Sequence, residues 1–218
     1  MPREQYDRQL KDLQDSLLRL ASQVEGSIGR AVEALKTQDV DEARRIIADD
    51  DAIDRAQYAI EDAALLLIAR QAPMAADLRM ISAVISIASE LERMGDYAEG
   101  IAEIVIRGAN EPLLKPLANI PRMAQIAQRM LREALDAFVN RDAEAARRLG
   151  ATDDQVDQLT TVIQNELLRI MVSEPTNIER ALHLMFVAHN LERVADRATN
   201  IGERLIFLVT GQVVDLND

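Results

Sequence analysis

The chain carries the same pattern twice, about one hundred residues apart. Residues 90–104 (ELERMGDYAEGIAEI) and 190–204 (NLERVADRATNIGER) are identical at seven of fifteen positions, whereas unrelated segments of ordinary composition share about one. Residues 39–45 and 142–148 repeat the pattern D-x-acidic-x-A-R-R at a distance of 103 residues. Because a repeat of this length indicates one structural unit formed twice, the sequence predicts a duplicated fold.

Apolar residues recur at every third or fourth position through most of the chain, which is the periodicity of an amphipathic helix. The first such series consists of Leu10, Leu13, Leu17, Leu20, Val24, Ile28, Ala31 and Leu35. A hydrophobic content of 48% with only 3% aromatic residues and eight glycines also favours helices over strands. We therefore predict an all-α fold of six helices, arranged as two tandem, pseudo-symmetric three-helix bundles.

Prolines indicate where the two units meet. Residues 110–121 (NEPLLKPLANIP) contain three of the six prolines, and no other segment has the composition of a linker. We divide the chain into a first three-helix repeat at residues 1–108, a linker at 109–121 and a second three-helix repeat at 122–218.

Local signals predict the helix ends. Asp39 is expected to cap the second helix, and Glu42 is expected to complete a capping box with it. Pro73 and Pro175 are expected in the first turns of the third and sixth helices, where a proline removes no intrahelical hydrogen bond. Gly108 is a good residue for ending the third helix.

Composition and missing motifs exclude several classes of function. The 37 acidic and 25 basic residues give a net charge of −12, which disfavours binding to nucleic acid and to anionic lipid. The absence of cysteine excludes disulfides, cysteine-ligated zinc and iron–sulfur clusters. No nucleotide-binding glycine loop and no G-x-S-x-G motif occurs. The longest uncharged stretches fall short of the roughly 20 apolar residues of a membrane helix, and the N-terminus has no apolar signal core, so we expect a cytoplasmic protein.

The third helix of each half carries a stripe of carboxylates. Earlier in the third helix the same face is apolar, so the stripe continues a core face, where acidic groups must be neutralised. Three explanations stay open: the carboxylates lie at a frayed end of the bundle, they bind a metal, or they are paired with basic residues. Arg93 and Arg193 support the third, since each could form ion pairs with an acid of an adjacent helix. All-oxygen ligation favours a hard ion such as Mg²⁺, Mn²⁺ or ferric iron. The stripe comprises Glu92, Asp96, Glu99 and Glu103 in the first half, and Glu192, Asp196 and Glu203 in the second, with Thr199 at the place of Glu99 and Asn200 beside it.

The two histidines are weaker candidates. His189 lies three residues before Glu192 and either adds one nitrogen ligand or is a contact between helices; its counterpart is Ser89, so it is not part of a duplicated site. His183 lies opposite the stripe and is expected to pack against a neighbouring helix.

The motif L-E-R-x-[GA]-D-x-A occurs in both halves, with Asp77–Arg79 upstream of the first copy and Thr199–Ile201 at the end of the second. Residues 64–79 add the pattern ALLLIARQ-x-P-x-x-x-DLR. With these motifs the chain resembles, over essentially its whole length, the PhoU family of bacterial phosphate-specific transport. The resemblance implies two three-helix bundles related by an approximate two-fold axis.

The resemblance also implies metal clusters at the E-x-x-x-D motifs. Carried over position by position, the candidate ligands are Glu92, Asp96, Glu192, Asp196 and Asn200. The implied cofactors are divalent or ferric metal ions, including multinuclear iron, with Mg, Mn and Zn also compatible. The first copy departs from the pattern because Gly100 stands where the second has Asn200, so the first site either lacks one ligand or recruits Glu99 or Glu103.

The family role that the resemblance implies is regulatory and not enzymatic. Proteins of this family are negative regulators of the phosphate-starvation response, and the implied partners are the ATPase of the phosphate ABC transporter and a membrane sensor histidine kinase. We also expect a homodimer, with no nucleic acid bound and no direct insertion into the membrane. Two other classes stay open. One is a carboxylate-bridged di-iron oxidase of ferritin-like type, which needs Glu-x-x-His motifs, whereas His189 and Glu192 stand in the reversed order. The other is a metal-free helical scaffold.

Overall fold

A computed structural model describes residues 2–71, 73–114 and 118–217 of the protein. This part of the chain forms six long α-helices. No strand occurs in these ranges, so the predicted all-α class of six helices is confirmed. Nor does any helix there have the length and apolarity needed to cross a membrane. The helices are α1 (Pro2–Thr37), α2 (Val40–Gln71), α3 (Ala75–Arg107), α4 (Asn119–Asn140), α5 (Ala143–Ser173) and α6 (Ile178–Thr210), with a 3₁₀ turn at Pro175–Asn177 before α6.

The helices pack in two sets of three. Helices α1, α2 and α3 contact one another, as do α4, α5 and α6, and the two sets meet mainly through α3 against α6. A smaller contact joins α1 to α4. The finer division at residues 1–108, 109–121 and 122–218 stays a prediction, and α4 begins at Asn119, inside the segment assigned to the linker.

The repeated motif contributes its apolar residues to the core. Leu91 and Leu191 are completely buried, and so are Ala98 and Ala198. The core is almost entirely aliphatic, and Phe138 is one of its few aromatic residues. Because the apolar residues of the motif face the core in both halves, its acidic residues lie at the rim of the α2–α3 and α5–α6 contacts.

The second helix of each half is capped by an aspartate, as the duplication predicts. Asp39 Oδ1 accepts a hydrogen bond from the Glu42 N–H at 2.9 Å, and Asp142 Oδ1 accepts one from the Ala145 N–H at 2.9 Å. The prediction of a full capping box is wrong, because the Glu42 carboxylate forms ion pairs with Arg30 and Arg45. The Asp39 N–H donates to the Ala34 carbonyl at the end of α1 instead.

Two predicted helix starts are shifted. Helix α3 begins at Ala75, so Pro73 precedes its first turn, and Pro175 begins the 3₁₀ turn rather than α6 itself. Such a turn is a common connector into an α-helix, and the fixed φ of proline suits its first residue. Gly108 follows the end of α3 as expected, and its N–H donates to the Ile104 carbonyl at 2.9 Å.

Candidate metal centre

Five carboxylates gather between α2 and α3. One oxygen each of Asp54, Glu92 and Asp96 lies within 4.8 Å of the others, and Asp50, Asp96 and Glu99 form a second such group. Asp96 belongs to both groups, so we treat the five residues as one set, the first cluster. Carboxylate oxygens at this spacing match the ligands that hard cations prefer.

The local sequence explains why the two helices bring these groups together. Asp50 and Asp54 stand four residues apart on α2, as Glu92 and Asp96 do on α3, and residues at this spacing share one helix face. Gly95 permits the close approach, because a Cβ atom there would lie 3.1 Å from Asp50 Oδ1. The glycine of the motif therefore allows the Asp50 carboxylate to lie against the backbone of α3.

The first cluster is electrostatically unfavourable without a cation. Burial, followed by the charges of Glu99 and Asp96, raises the pKa of Asp50 to about 7. Burial and neighbouring carboxylates likewise raise the pKa of Glu92, Asp96 and Glu99. Asp54 Oδ1 is buried and has no hydrogen-bond partner within the described ranges. A hard cation fits this set, because it would satisfy the buried oxygen and offset the repulsion.

The second half has an equivalent set of four, the second cluster. It consists of Asp153 and Asp157 on α5 and Glu192 and Asp196 on α6. Asp153 is only 5% exposed, and its Oδ1 has no hydrogen-bond partner in the part of the chain that the structure describes. Burial, with the charges of Asp196 and Asp157, raises the pKa of Asp153 to about 7. This buried carboxylate also fits a cation.

The second cluster differs from the first in its basic and polar neighbours. Arg193 Nη1 donates to Asp196 Oδ2 at 2.6 Å, and His189 Nδ1 lies 3.3 Å from Glu192 Oε2. Thr199, which replaces Glu99, is completely buried and donates its hydroxyl to the Asp196 carbonyl at 2.7 Å. The second cluster therefore has one carboxylate fewer and a paired guanidinium.

Comparison with known proteins assigns the family. A family model described as "PhoU domain" matches residues 17–105 and again residues 120–205, and each match contains one of the two clusters. The chain belongs to the PhoU family. The resemblance inferred from the repeated motif is thereby confirmed.

Relatives of this PhoU-family chain match it over nearly their whole length. It is 40% identical over 207 residues to a protein of Aquifex aeolicus named "Phosphate-specific transport system accessory protein PhoU homolog", covering 95% of this chain and 94% of that one. A protein of the same name from Clostridium acetobutylicum is 39% identical over 219 residues, which is 100% of both chains.

Solved structures show the same fold. The phosphate transport system regulatory protein PhoU from Streptococcus pneumoniae superposes with a TM-score of 0.90 at 33% identity, covering 96% of this chain and 99% of that one. PhoU from Pseudomonas aeruginosa gives a TM-score of 0.91 at 32% identity, with 95% and 100% coverage.

The structure brings together four of the five ligand candidates carried over from the PhoU family. Glu92 and Asp96 lie in the first cluster, and Glu192 and Asp196 lie in the second. The Asn200 side chain points across the contact between the halves, where its amide donates to Glu90 Oε2 at 3.2 Å. Its role as a ligand stays a prediction that this hydrogen bond does not favour.

The departure at Gly100 has its explanation at the same contact. A Cβ atom on Gly100 would lie 2.9 Å from Asn190 Nδ2, so the glycine leaves space for that amide. Asn190 is the counterpart of Glu90, and Asn200 is the counterpart of Gly100. The two halves therefore hold complementary pairs at equivalent positions of α3 and α6.

The remaining stripe residues have other roles. Glu103 is exposed and pairs with Arg107 at 2.7 Å, and Glu203 Oε1 accepts a hydrogen bond from the Leu216 N–H at 2.9 Å. The His189 side chain is 57% exposed, and its role as a nitrogen ligand or as a contact between helices stays a prediction. His183 is half-buried beside the chain that follows α3, in agreement with the packing role expected for it.

Sequence reasoning missed the ligand candidates on α2 and α5, namely Asp50, Asp54, Asp153 and Asp157. The signal was present: the pattern D-D-x-x-D occurs at residues 50–54 and again at 153–157, at the same distance of 103 residues as the capping segments.

Proposed function

We propose that this chain is an accessory and regulatory protein of phosphate-specific transport that represses the phosphate-starvation response when phosphate is abundant. The observation that carries the proposal is the match over 100% of both chains with a protein named as an accessory protein of that transport system. A match of this extent leaves no large domain of the relative without a counterpart here.

The protein acts as a cytoplasmic adaptor and not as an enzyme in this proposal. Its partners are the ATPase of the phosphate transporter and a membrane sensor histidine kinase, and two copies of the chain form the regulatory unit. A net charge of −12 supports a route through protein contacts, since promoter DNA and an anionic leaflet would both repel the chain.

Metal ions bound by the two clusters are the second part of the proposal. A bound ion would supply positive charge between two helices and would join α2 to α3, or α5 to α6. Support comes from the buried, unpartnered oxygens of Asp54 and Asp153, together with the raised pKa of Asp50 and Asp153. Iron, manganese and magnesium all suit the oxygen ligands.

The geometry favours this proposal over a ferritin-like oxidase. A ferritin-like site draws carboxylates and histidines from four facing helices, whereas each cluster here draws its carboxylates from two. Apart from the buried Asp153, the carboxylates of both clusters are partly or largely exposed and lie at the edge of a three-helix bundle rather than inside a four-helix core.

A deletion strain tests the regulatory role. We expect a phosphate-starvation reporter to be active in phosphate-replete medium without the gene, and silent again when the wild-type chain is supplied. The variant with Asp96→Asn and Asp196→Asn should fail to restore repression if metal is required. The matched control, Asp41→Asn with Glu144→Gln, removes two charges from side chains that are 82% and 80% exposed and should restore it.

The route of regulation is tested by a pull-down from phosphate-replete cells beside a gel-shift assay on the regulated promoters. We expect the transporter ATPase or the kinase in the pull-down and no shifted promoter. Recovery of neither partner, together with specific promoter binding by the purified chain, would make this protein a DNA-binding repressor.

A further inference from the structure

The two copies of one arginine behave differently. Arg193 forms an ion pair with Asp196 at 2.6 Å. Arg93, its counterpart, is exposed and makes no ion pair with any residue of the described ranges. It lines, with Glu92 and Asp96, a polar cavity of about 490 Å³ that opens beside the first cluster. The equivalent arginines of the two motifs therefore have different positions relative to their clusters.

The carboxylates follow this difference. In the first cluster, two sets of three oxygens converge within 4.8 Å. No set of three does so in the second cluster, as far as the chain is described, and Asp196 Oδ2 is directed to the Arg193 guanidinium. A charged hydrogen bond of this length places a positive group where a metal ion would otherwise bind the same oxygen.

The second cluster nevertheless retains an unsatisfied ligand. Asp153 is only 5% exposed, and its Oδ1 is buried and without a partner among the described residues. Arg193 thus pairs with Asp196 and leaves Asp153 Oδ1 without a partner. The adjacent Arg197 does not serve this purpose, since it extends across to Glu90 on α3.

We propose that Arg193 is the internal counter-cation of the second cluster, and that a metal ion must displace its guanidinium from Asp196 in order to bind there. The inference rests on the metal role proposed above. Its consequence is that the two clusters bind metal unequally. The first cluster takes a metal ion at the lower concentration and joins α2 to α3, and the second joins α5 to α6 only at a higher concentration.

The test measures Mn²⁺ binding to the purified, untagged, full-length chain, with free Mn²⁺ followed by electron paramagnetic resonance after chelator treatment. The second cluster is isolated with the background Glu92→Gln and Asp96→Asn. In that background we expect Arg193→Gln to tighten Mn²⁺ binding about threefold to tenfold, the range given by an ion pair of this kind. The Mn²⁺ affinity of Arg193→Lys, which keeps the charge, should lie between that of the background with Arg193 intact and that of Arg193→Gln.

The matched control is Arg147→Gln. Arg147 forms an i,i+3 pair with Glu144 at 3.5 Å on α5, so this variant removes the same charge and the same kind of contact away from the cluster. We expect its Mn²⁺ affinity to stay within about twofold of the background, because an exposed pair outside the site is screened by solvent. Far-UV circular dichroism verifies that each variant remains helical.

Each result has a distinct meaning. Equal tightening by Arg193→Gln and Arg147→Gln would overturn the inference, because net charge alone would then explain the effect. Mn²⁺ binding at the first cluster, with none at the second even in Arg193→Gln, would overturn the inference and leave the metal role of the first cluster intact. No Mn²⁺ binding at either cluster of the wild-type chain would overturn the metal role in the proposed function as well.

Discussion

Asn in place of Asp153 should stabilise the metal-free protein above neutral pH and destabilise it slightly in acid. The carboxylate of Asp153 is 5% exposed, and burial with neighbouring charges raises its pKa from 3.8 to about 7. A group whose pKa is raised on folding contributes full stability below its unfolded pKa, and that contribution is lost as the pH rises through the folded pKa. The wild-type chain should therefore lose stability between about pH 4 and pH 8.

The magnitude follows from the size of the pKa change. A rise of about three units corresponds to about 4 kcal/mol at the upper limit. Burying an Asn amide at the same place without full hydrogen bonding costs about 1 to 2 kcal/mol and reduces this gain in stability. The Asp153→Asn variant should thus exceed wild type by about 2 to 3 kcal/mol at pH 8, which raises the Tm of a chain this size by about 5 to 10 °C.

Urea and thermal unfolding from pH 4 to pH 9, with a chelator present, measure this difference. The control Asp41→Asn removes an exposed carboxylate on α2 and should change the free energy of unfolding by less than about 0.5 kcal/mol at every pH. Added Mn²⁺ should reverse the order, since it stabilises wild type and not a chain that lacks the Asp153 ligand. A loss of stability in Asp153→Asn that is equal at all pH values would refute the reasoning, because it would show that the pKa of Asp153 is not raised on folding.

Three further outcomes are expected. At a saturating metal concentration, Glu192→Ala with Asp196→Ala should remove about half of the bound metal, and it should leave the stability of the metal-free chain nearly unchanged, because the relief of like-charge repulsion offsets the loss of the Arg193–Asp196 pair; unchanged metal content would exclude a site there. Arg197→Ala should lower the free energy of unfolding by about 3 kcal/mol, because Arg197 and Glu90 are only 11% and 17% exposed, while Arg147→Ala should cost less than about 1 kcal/mol; similar losses would mean that the contact between α3 and α6 contributes little. Light scattering should give twice the chain mass of 24.3 kDa, and a single species of 24.3 kDa at high concentration would exclude the homodimer.

The fold was predictable because its signal is spread over many residues. The series from Leu13 to Leu35 is buried along α1, and the repeated Leu91 and Leu191 are buried alike, so each position supports the same conclusion. The two shifted helix starts, at Ala75 and Ile178, depend on a few backbone angles beside a proline, which periodicity does not determine.

The candidate site was only half predictable. Asp49, Asp50 and Asp51 are consecutive, and the sequence alone does not indicate which of them faces α3. The structure places Asp50 in the first cluster, whereas Asp49 pairs with Arg30 and Asp51 is exposed. That choice depends on the rotation of α2 about its axis, which the packing of Ile46 and Ile53 into the core determines.

The contact between the two halves was beyond reach for a related reason. Asn200 was assigned to a metal site by carrying over the pattern of the PhoU family position by position. Its actual partner, Glu90, lies 110 residues away and meets it only because α3 and α6 cross. Contacts between elements distant in sequence leave no local pattern to find.

Where α3 crosses α6, Glu90 faces Asn200 and Gly100 faces Asn190, so the two halves are no longer interchangeable. If two first halves met in the same way, Glu90 would face Gly100 and lose both its amide and its guanidinium partner. If two second halves met, Arg197 would face Asn190, the counterpart of Glu90, and would lose its ion pair at a largely buried position. Each mismatched pairing leaves a buried charge without compensation, so the crossing recognises only the unlike half. A gene duplication that began with two identical units has in this way produced a chain whose halves select each other.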